Sequence, residues 1–378
     1  KLTGLPEIYR GAAMQNPFRP TAGATPPIVV SREGLLQEFE YGLRIGSGAP
    51  GLLTIFTGAP GVGKTVMLGA AEDLARSQGW VVLSETATPG FTARIGEAMR
   101  AAETELGDGP VSRRIVGITA AGFGVTTQLT PQQQIGWREL GQRLLTLLAQ
   151  QRTGLLITVD EIHAAERTEL AALAANIQHF IREGLPIALI VAGLPAAVSD
   201  LLNEGVATFL RRADRIDLHS ASIEETAQSH SELFAQGGHP ISSELARLAA
   251  EGTGGYPFLI QLVGYSLWRE AESREEPIDE SAVTEAVAAA RRRNEQTVIG
   301  AALAVVSARD MDFLLAMTVD EDITDVGDIG RRMAATPSLV GKYRARLIDA
   351  GLVESAGYGR VAFAIPGLRE YLRAQSRR

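Results

Sequence analysis

Leu52-Leu53-Thr54-Ile55-Phe56-Thr57 runs directly into Gly58-Ala59-Pro60-Gly61-Val62-Gly63-Lys64-Thr65-Val66, and an amphipathic helical pattern follows. A short apolar strand, a glycine turn and a helix are the context in which G-x-x-x-x-G-K-[ST] binds phosphate. Glycines let successive backbone N–H groups turn toward anionic oxygens, and the first turn of the helix adds partial positive charge. In such a loop Lys64 reaches the β- and γ-phosphates, and the Thr65 hydroxyl can coordinate a metal ion. Gly58, Ala59, Pro60, Gly61, Val62, Gly63, Lys64, Thr65 and Val66 are therefore the candidate ligand loop, with ATP and Mg2+ as its ligands.

A metal bound beside such a loop needs a carboxylate at the end of a second strand. Leu155-Leu156-Ile157-Thr158-Val159-Asp160-Glu161-Ile162 supplies one. Asp160 falls at the carboxyl end of a buried strand, where open α/β sheets bind ligands. Glu161 follows, suited to polarise a water for attack on the γ-phosphate. An acidic pair can also cap a following helix, but its company with the glycine loop favours chemistry. His163 reads as a capping or packing residue.

Between residues 51 and 219 the apolar runs Leu52–Thr57, Trp80–Ser84, Leu155–Val159, Ile187–Ala192 and Arg215–Leu218 alternate with helical patterns. Continuous apolar strands separated by helices predict an α/β parallel sheet covered on both faces. Residues 105–131 interrupt this rhythm with a hairpin-like alternation, read as an insertion that extends the sheet. Residues 1–27 are rich in Pro and Gly, and a helix is expected over Arg32–Gly42. Residues 220–297 are helical throughout and end in Arg291-Arg292-Arg293, which would satisfy the C-terminal end of its helix electrostatically.

The loop and the acidic pair resemble those of the AAA+ and STAND P-loop ATPases, and the layout resembles their origin-recognition-like branch over about residues 28–378. The resemblance implies a P-loop core at 28–219, an all-α lid at 220–297 and a winged helix-turn-helix domain at 298–378. Val29-Val30-Ser31-Arg32-Glu33 resembles the segment whose backbone flanks adenine in that family, which implies Val30 as a contact. Ser31 is equally a good cap for a helix beginning at Arg32, and both readings stand. Phe209-Leu210-Arg211-Arg212 lies where the family carries an arginine finger that reaches a neighbouring subunit's γ-phosphate, so Arg211 or Arg212 is the candidate; a solvated helix end is the alternative. The polar sensor expected after the fourth strand is replaced by Ala192-Gly193. Gly254-Gly255-Tyr256-Pro257 resembles the G-x-P motif of STAND lids, which implies that the backbone at Tyr256 and Pro257 closes over the nucleotide; a proline helix start reads the same way.

At the carboxyl end, Asp325–Ala335 reads as a helix and Leu339–Ala350 as a second. The buried side of the second would be Leu339, Val340, Tyr343, Leu347 and Ile348. Two strands, Leu352–Ser355 and Arg360–Ile365, join through Ala356-Gly357-Tyr358-Gly359. Ser338, Lys342, Arg344 and Arg346 on the second helix, with Tyr358 and Arg360 on the wing, would face phosphates and base edges of double-stranded DNA. Residues 298–378 carry 11 basic and 10 acidic side chains, a weak balance for a DNA binder. Seven of those acids lie at 310–328, away from the reading face. A winged helix can also contact protein.

The 378-residue chain is 45% hydrophobic and 21% charged, which fits two or three folded domains and excludes disorder over most of its length. Its net charge of −8 argues against wholesale coating of nucleic acid. The absence of cysteine excludes disulfides and thiol catalysis, and five scattered histidines offer no metal-ligand spacing. No run approaches a membrane span and no secretion signal opens the chain, so a cytoplasmic location without membrane association is expected. Two readings follow. One is an ATP-hydrolysing switch whose nucleotide state controls homo-oligomer assembly and engagement of DNA. The alternative is a STAND-type regulatory ATPase whose winged helix binds protein.

Overall fold

The computed structural model describes residues 15–21, 32, 34–107, 118–119, 131–195, 198–199, 202, 208–274, 276–304 and 306–376. The chain divides into two compact units: Gly34–Gly58 with Met67–Leu218, and Lys1–Glu33 with Ala59–Val66 and His219–Arg378. Among the described residues no helix is long and apolar enough to cross a membrane.

The first unit is built on β1 (Leu53–Thr57), β2 (Val81–Thr86), β3 (Ile118–Thr119), β4 (Leu155–Asp160), β5 (Ile187–Gly193) and β6 (Asp214–Asp217). They form one sheet in the order β3-β2-β4-β5-β1-β6, and every pairing is parallel. Parallel strands need helical crossovers. These are supplied by α2 (Lys64–Ser77), α3 (Phe91–Gly107), α4 (Pro131–Gln150) and α5 (Arg167–Arg182), with α1 (Gln37–Ile45) preceding the sheet. All seven residues of β5 and the first five of β4 are buried, so both faces of the central strands are covered. Trp137 of α4 stacks on Phe180 of α5 at 6.0 Å, and its indole N–H donates to the Thr92 carbonyl at 2.9 Å.

The expected parallel sheet is present, with strand limits within two residues of the reading. The first helix is not where it was expected. Gly34 takes φ +81° and opens a turn, so α1 starts at Gln37 and turns Phe39, Gly42 and Leu43 inward. Most of the 105–131 insertion lies outside the described residues. Its described pair, Ile118–Thr119, runs parallel to Leu83–Ser84 at the sheet edge, so at this pair the insertion extends the sheet.

The second unit contains α6 (Ile223–Gln236), α7 (Ser243–Thr253), α8 (Pro257–Ser273) and α9 (Glu280–Asn294). Ser222, Ser242 and Asp279 cap α6, α7 and α9, each side chain accepting from a backbone N–H of the first turn. Gly255 links α7 to α8 with φ +70°, and a Cβ there would overlap the Ala221 carbonyl. The segment Asn16–Pro20 lies along α8. Phe18 is buried against Phe234 and Trp268, and it fills the space a side chain at Gly264 would take. α9 does not end after its arginines. It passes through a π-helical turn, Glu295–Ile299, into α10 (Gly300–Leu303). The run Arg291–Arg293 therefore has no helix end to neutralise, contrary to expectation.

The carboxyl-terminal part follows as α11 (Ala308–Met317), β7 (Thr324–Asp325), α12 (Val326–Arg332), α13 (Pro337–Asp349), β8 (Val353–Ser355), β9 (Arg360–Phe363) and α14 (Leu368–Gln375). Three antiparallel strands, in the order β7-β9-β8, stand beside these helices. Phe313, Leu314, Ile329, Val340, Leu347, Val361 and Leu372 form a core. β7 was not expected: Thr324–Asp325 reads as a helix start, yet it pairs with Val361–Arg360. Leu339, expected inside, is 43% exposed.

His230 on α6 is fully buried beside Phe18, and burial lowers its pKa from 6.5 to about 4. The unfolded chain binds this proton below pH 6.5, whereas the folded chain binds it only near pH 4. This site's stabilisation is therefore complete above pH 6.5 and is lost as pH falls toward 4. Linkage predicts that about 2 kcal/mol of unfolding free energy disappears between pH 7 and 5 through this group. Urea melts at the two values check it, and His230→Gln should remove that part of the slope.

Candidate nucleotide-binding site

β1 and β4 both end at the carboxyl edge of the sheet, with β5 between them. Gly58 therefore leaves one strand, and Asp160 closes another, on the side where parallel α/β sheets bind ligands. The glycine loop has the conformation its composition demands: Gly58, Gly61 and Gly63 take φ of +153°, +74° and +97°. Residues with a Cβ avoid this region. Lys64 begins α2, is buried, and donates to the Ala59 carbonyl of its own loop at 2.9 Å. Thr65 is exposed in the first helical turn, and Val62 is buried beneath the loop.

Two side chains from elsewhere hold the loop's carbonyl groups. The Tyr256 phenol donates to the Pro60 carbonyl. The Arg32 guanidinium donates to the Val62 carbonyl at 3.1 Å and to the His219 carbonyl at 2.6 Å. A Cβ at Gly61 would overlap the Tyr256 phenol oxygen, so close approach as well as backbone angle requires glycine there. Burial pushes the Tyr256 hydroxyl above its ordinary pKa, which keeps it a neutral donor. Burial lowers the Arg32 pKa, with Glu225 opposing that shift. Pro257, at the first position of α8, stands next to Gly63. The Tyr256–Pro257 turn thus lies on the loop, and the contacts that hold it there run through the phenol and the Pro257 side chain. The sequence reading missed Arg32 and the phenol because one arginine among 33 carries no local signal and a tyrosine before a helix reads as core.

Asp160 is half-buried, and its Oδ1 accepts from the Glu161 N–H at 2.8 Å. Glu161 has a left-handed backbone, φ +55°, which costs a non-glycine residue energy and is concentrated at functional sites. Its Oε2 lies 3.1 Å from His163 Nδ1, so His163 is tied to the acidic pair and not to packing. The Asp160 carboxylate and Thr65 hydroxyl are hard oxygen donors of the type Mg2+ prefers. Among the described residues no cluster of three or more His, Cys, Asp or Glu forms a metal site of another kind. Ala192 and Gly193 are buried at the end of β5, with Gly193 against Ile162, so neither offers a polar sensor. Arg211 donates to the Leu202 carbonyl at 2.8 Å, while Arg212 is exposed. Val30 and Ser31 lie outside the described residues.

The proposed DNA-reading residues separate into two groups. Ser338 and Lys342 are exposed on one face of α13, and Tyr358 and Arg360 are exposed at the β8–β9 turn. Arg344 donates to Ser355 Oγ at 3.1 Å, and Arg346 pairs with the buried Asp310 of α11 at 2.7 Å while stacking on Tyr343. These bonds tie both arginines to their own module; Arg344 is partly buried, while the Arg346 side chain stays 55% exposed.

Tyr256→Phe should cost about 1 kcal/mol, the net worth of one hydrogen bond, and leave the ring packed. Gly61→Ala should cost roughly 1–3 kcal/mol through its backbone angle alone, and more through the phenol. Because the two sites touch, a double-mutant cycle of urea melts should give a non-additive result, with Tyr256→Phe relieving part of the Gly61→Ala cost.

Residues 296–372 match the model of a domain of unknown function, DUF8462. No curated protein matches the chain. Among solved structures, a Walker-type ATPase of Pyrococcus abyssi superposes with a TM-score of 0.65 at 13% identity, over 91% of this chain and 96% of that one. The Aeropyrum pernix ORC2 protein in its ADPNP–ADP complexes gives 0.58 at 14% identity, over 95% and 98%. Its ADP form gives 0.52 at 15%, over 95% and 96%. With its glycine loop, acidic strand end and parallel sheet, the chain shares the fold of these Walker-type ATPase and ORC2 structures.

Proposed function

We propose that the protein binds ATP at Gly58–Val66 and hydrolyses it, and that the bound nucleotide sets the state of the helical part through Tyr256. The observation that carries this reading is the phenol–Pro60 hydrogen bond, which joins the phosphate loop to the start of α8. The fold shared with an ORC2 protein solved in ADPNP–ADP complexes supports nucleotide as the ligand.

In this reading, loop N–H groups and the α2 N-terminus hold the phosphates, and Lys64 exchanges its bond to the Ala59 carbonyl for one to phosphate oxygens. Thr65 and Asp160 would hold Mg2+, which neutralises phosphate charge when bound. Glu161 accepts the proton of the attacking water, and His163 orients its carboxylate. Arg211 or Arg212 acts on a neighbouring subunit, and Val30 and Pro257 border the base. The domains follow as a core at 28–219, a lid at 220–297 and a winged helix at 298–378; the β7-β9-β8 sheet beside α11–α13 supports the last. Ser338, Lys342, Tyr358 and Arg360 form the face offered to double-stranded DNA, and the nucleotide state governs its engagement.

A second reading, in which this module binds protein, is favoured by a different observation. Val319, Ile323 and Leu339 are 65%, 49% and 43% exposed on the same module, an apolar surface that DNA does not require.

Lys64→Ala should abolish ATP binding in a calorimetric titration; unchanged binding removes the loop assignment. Glu161→Gln should bind ATP yet hydrolyse it ~10²-fold or more slowly in a phosphate-release assay, the usual cost of losing a general base. Duplex-DNA anisotropy with ADP and with a slowly hydrolysed ATP analogue separates the two readings. Binding that depends on nucleotide, falls steeply with salt and is lost in Lys342→Glu supports DNA. Weak binding in every state assigns the module to protein.

A further inference from the structure

Arg291–Arg293 lie within a helix that continues through the π-turn, so dipole neutralisation does not explain them. Arg291 is accounted for, since it donates to the Gly252 carbonyl at 3.2 Å. Arg292 and Arg293 instead line a cavity of about 460 Å3 together with Arg269 of α8, Tyr265, Gln296 and the Pro20–Thr21 segment. No carboxylate lines it. The nearest acids on α8 are committed elsewhere: Glu270 pairs with Arg274 at 2.6 Å, and Glu272 accepts from the Trp268 indole at 2.8 Å. Among the described residues none of these three arginines has an ion-pair partner, although the chain carries a net charge of −8.

The cavity is built. Asn16 donates to the Tyr265 carbonyl, Arg19 N–H donates to Gln261 Oε1, and Phe18 is locked over Gly264, so the wall formed by Pro20 and Thr21 is held at both its backbone and its core side. Tyr265 is 40% exposed and offers a ring to the cavity. Gln296 belongs to the π-turn, a distortion that proteins keep mostly at functional sites. The volume lies within the ~300–1,000 Å3 range of small-ligand pockets.

From these observations we infer a second anion site, distinct from the glycine loop, in which Arg269, Arg292 and Arg293 bind phosphate and Tyr265 stacks on an attached base. Guanidinium forks match phosphate oxygens, and an aromatic ring accepts any base without sequence preference. The ligand is a nucleotide-type phosphate, either free or as part of a single nucleic-acid strand. Three unpaired guanidiniums lining one cavity repel one another until an anion enters, so the site also makes this part of the molecule responsive to that ligand.

The test uses the full chain carrying Lys64→Ala, which takes the glycine loop out of the measurement, and two probes at low salt: tripolyphosphate by calorimetry, and a dye-labelled oligothymidylate by anisotropy. Arg269→Ala with Arg292→Ala should weaken at least one probe by roughly tenfold or more, because charge-assisted bonds to phosphate are lost. Tyr265→Ala should weaken the oligothymidylate alone if the ligand is a strand. Far-UV dichroism checks the fold; if the double variant unfolds, Arg269→Gln and Arg293→Gln singly should each weaken the same probe. Equal affinity in wild-type and variant cavities, or no binding of either probe, overturns the assignment.

Discussion

The glycine loop presents its N–H groups to a ligand only if its carbonyl groups are turned away and held. Here two long side chains do the holding: Tyr256 takes the Pro60 carbonyl and Arg32 takes that of Val62. Neither belongs to the strand or helix that flanks the loop. Carbonyls left without donors cost free energy, so the loop's shape is conditional on Tyr256, 196 positions from Pro60, and on Arg32, 30 positions from Val62. The same condition explains local choices around it. Gly61 leaves room for the phenol, Gly255 lets the chain pass the Ala221 carbonyl, and Pro257 starts α8 without a wasted N–H. In the function proposed here, occupancy of a loop shaped this way would be felt at the start of α8.

Much of this was legible because its signals are local. A glycine loop between an apolar run and a helix is read from fifteen consecutive residues, and β4 with Asp160 from eight. Burial of β5 on both faces erases alternation and leaves a continuous apolar run that only a parallel sheet explains. What was misread depended on distant partners. Arg346 is exposed on α13, and its pairing with Asp310, buried on α11, has no signal in its own helix. Thr324–Asp325 became a strand because β9 pairs with it; its own residues favour a cap, and Asp325 does cap α12. Leu339 followed the apolar spacing of its helix yet lies outside its buried stripe. The helix expected to end at Arg293 runs on, since the backbone continues in a π-turn.

Arginine accounts for almost all positive charge in this chain, which makes its distribution more informative than its abundance. Most of the arginines on the carboxyl-terminal module are paired: Arg332 with Asp320, Arg373 with Glu321, Arg346 with Asp310. Such pairs at exposed sites contribute little stability and leave little charge to offer a partner. Lys342 and Arg360 on that module make no ion pair among the described residues, and neither do Arg269, Arg292 and Arg293, which line the cavity beside the last turn of α9. If this acidic protein binds anions, such local clusters and not its overall charge would set where.

The central claim is that nucleotide in the glycine loop is sensed at the start of α8. Amide hydrogen exchange over residues 59–66 and 254–263, with and without a Mg2+-bound, slowly hydrolysed ATP analogue, tests it directly. The account predicts that the two segments change protection together, and that Tyr256→Phe uncouples them. Protection of residues 59–66 with residues 254–263 unchanged would contradict it.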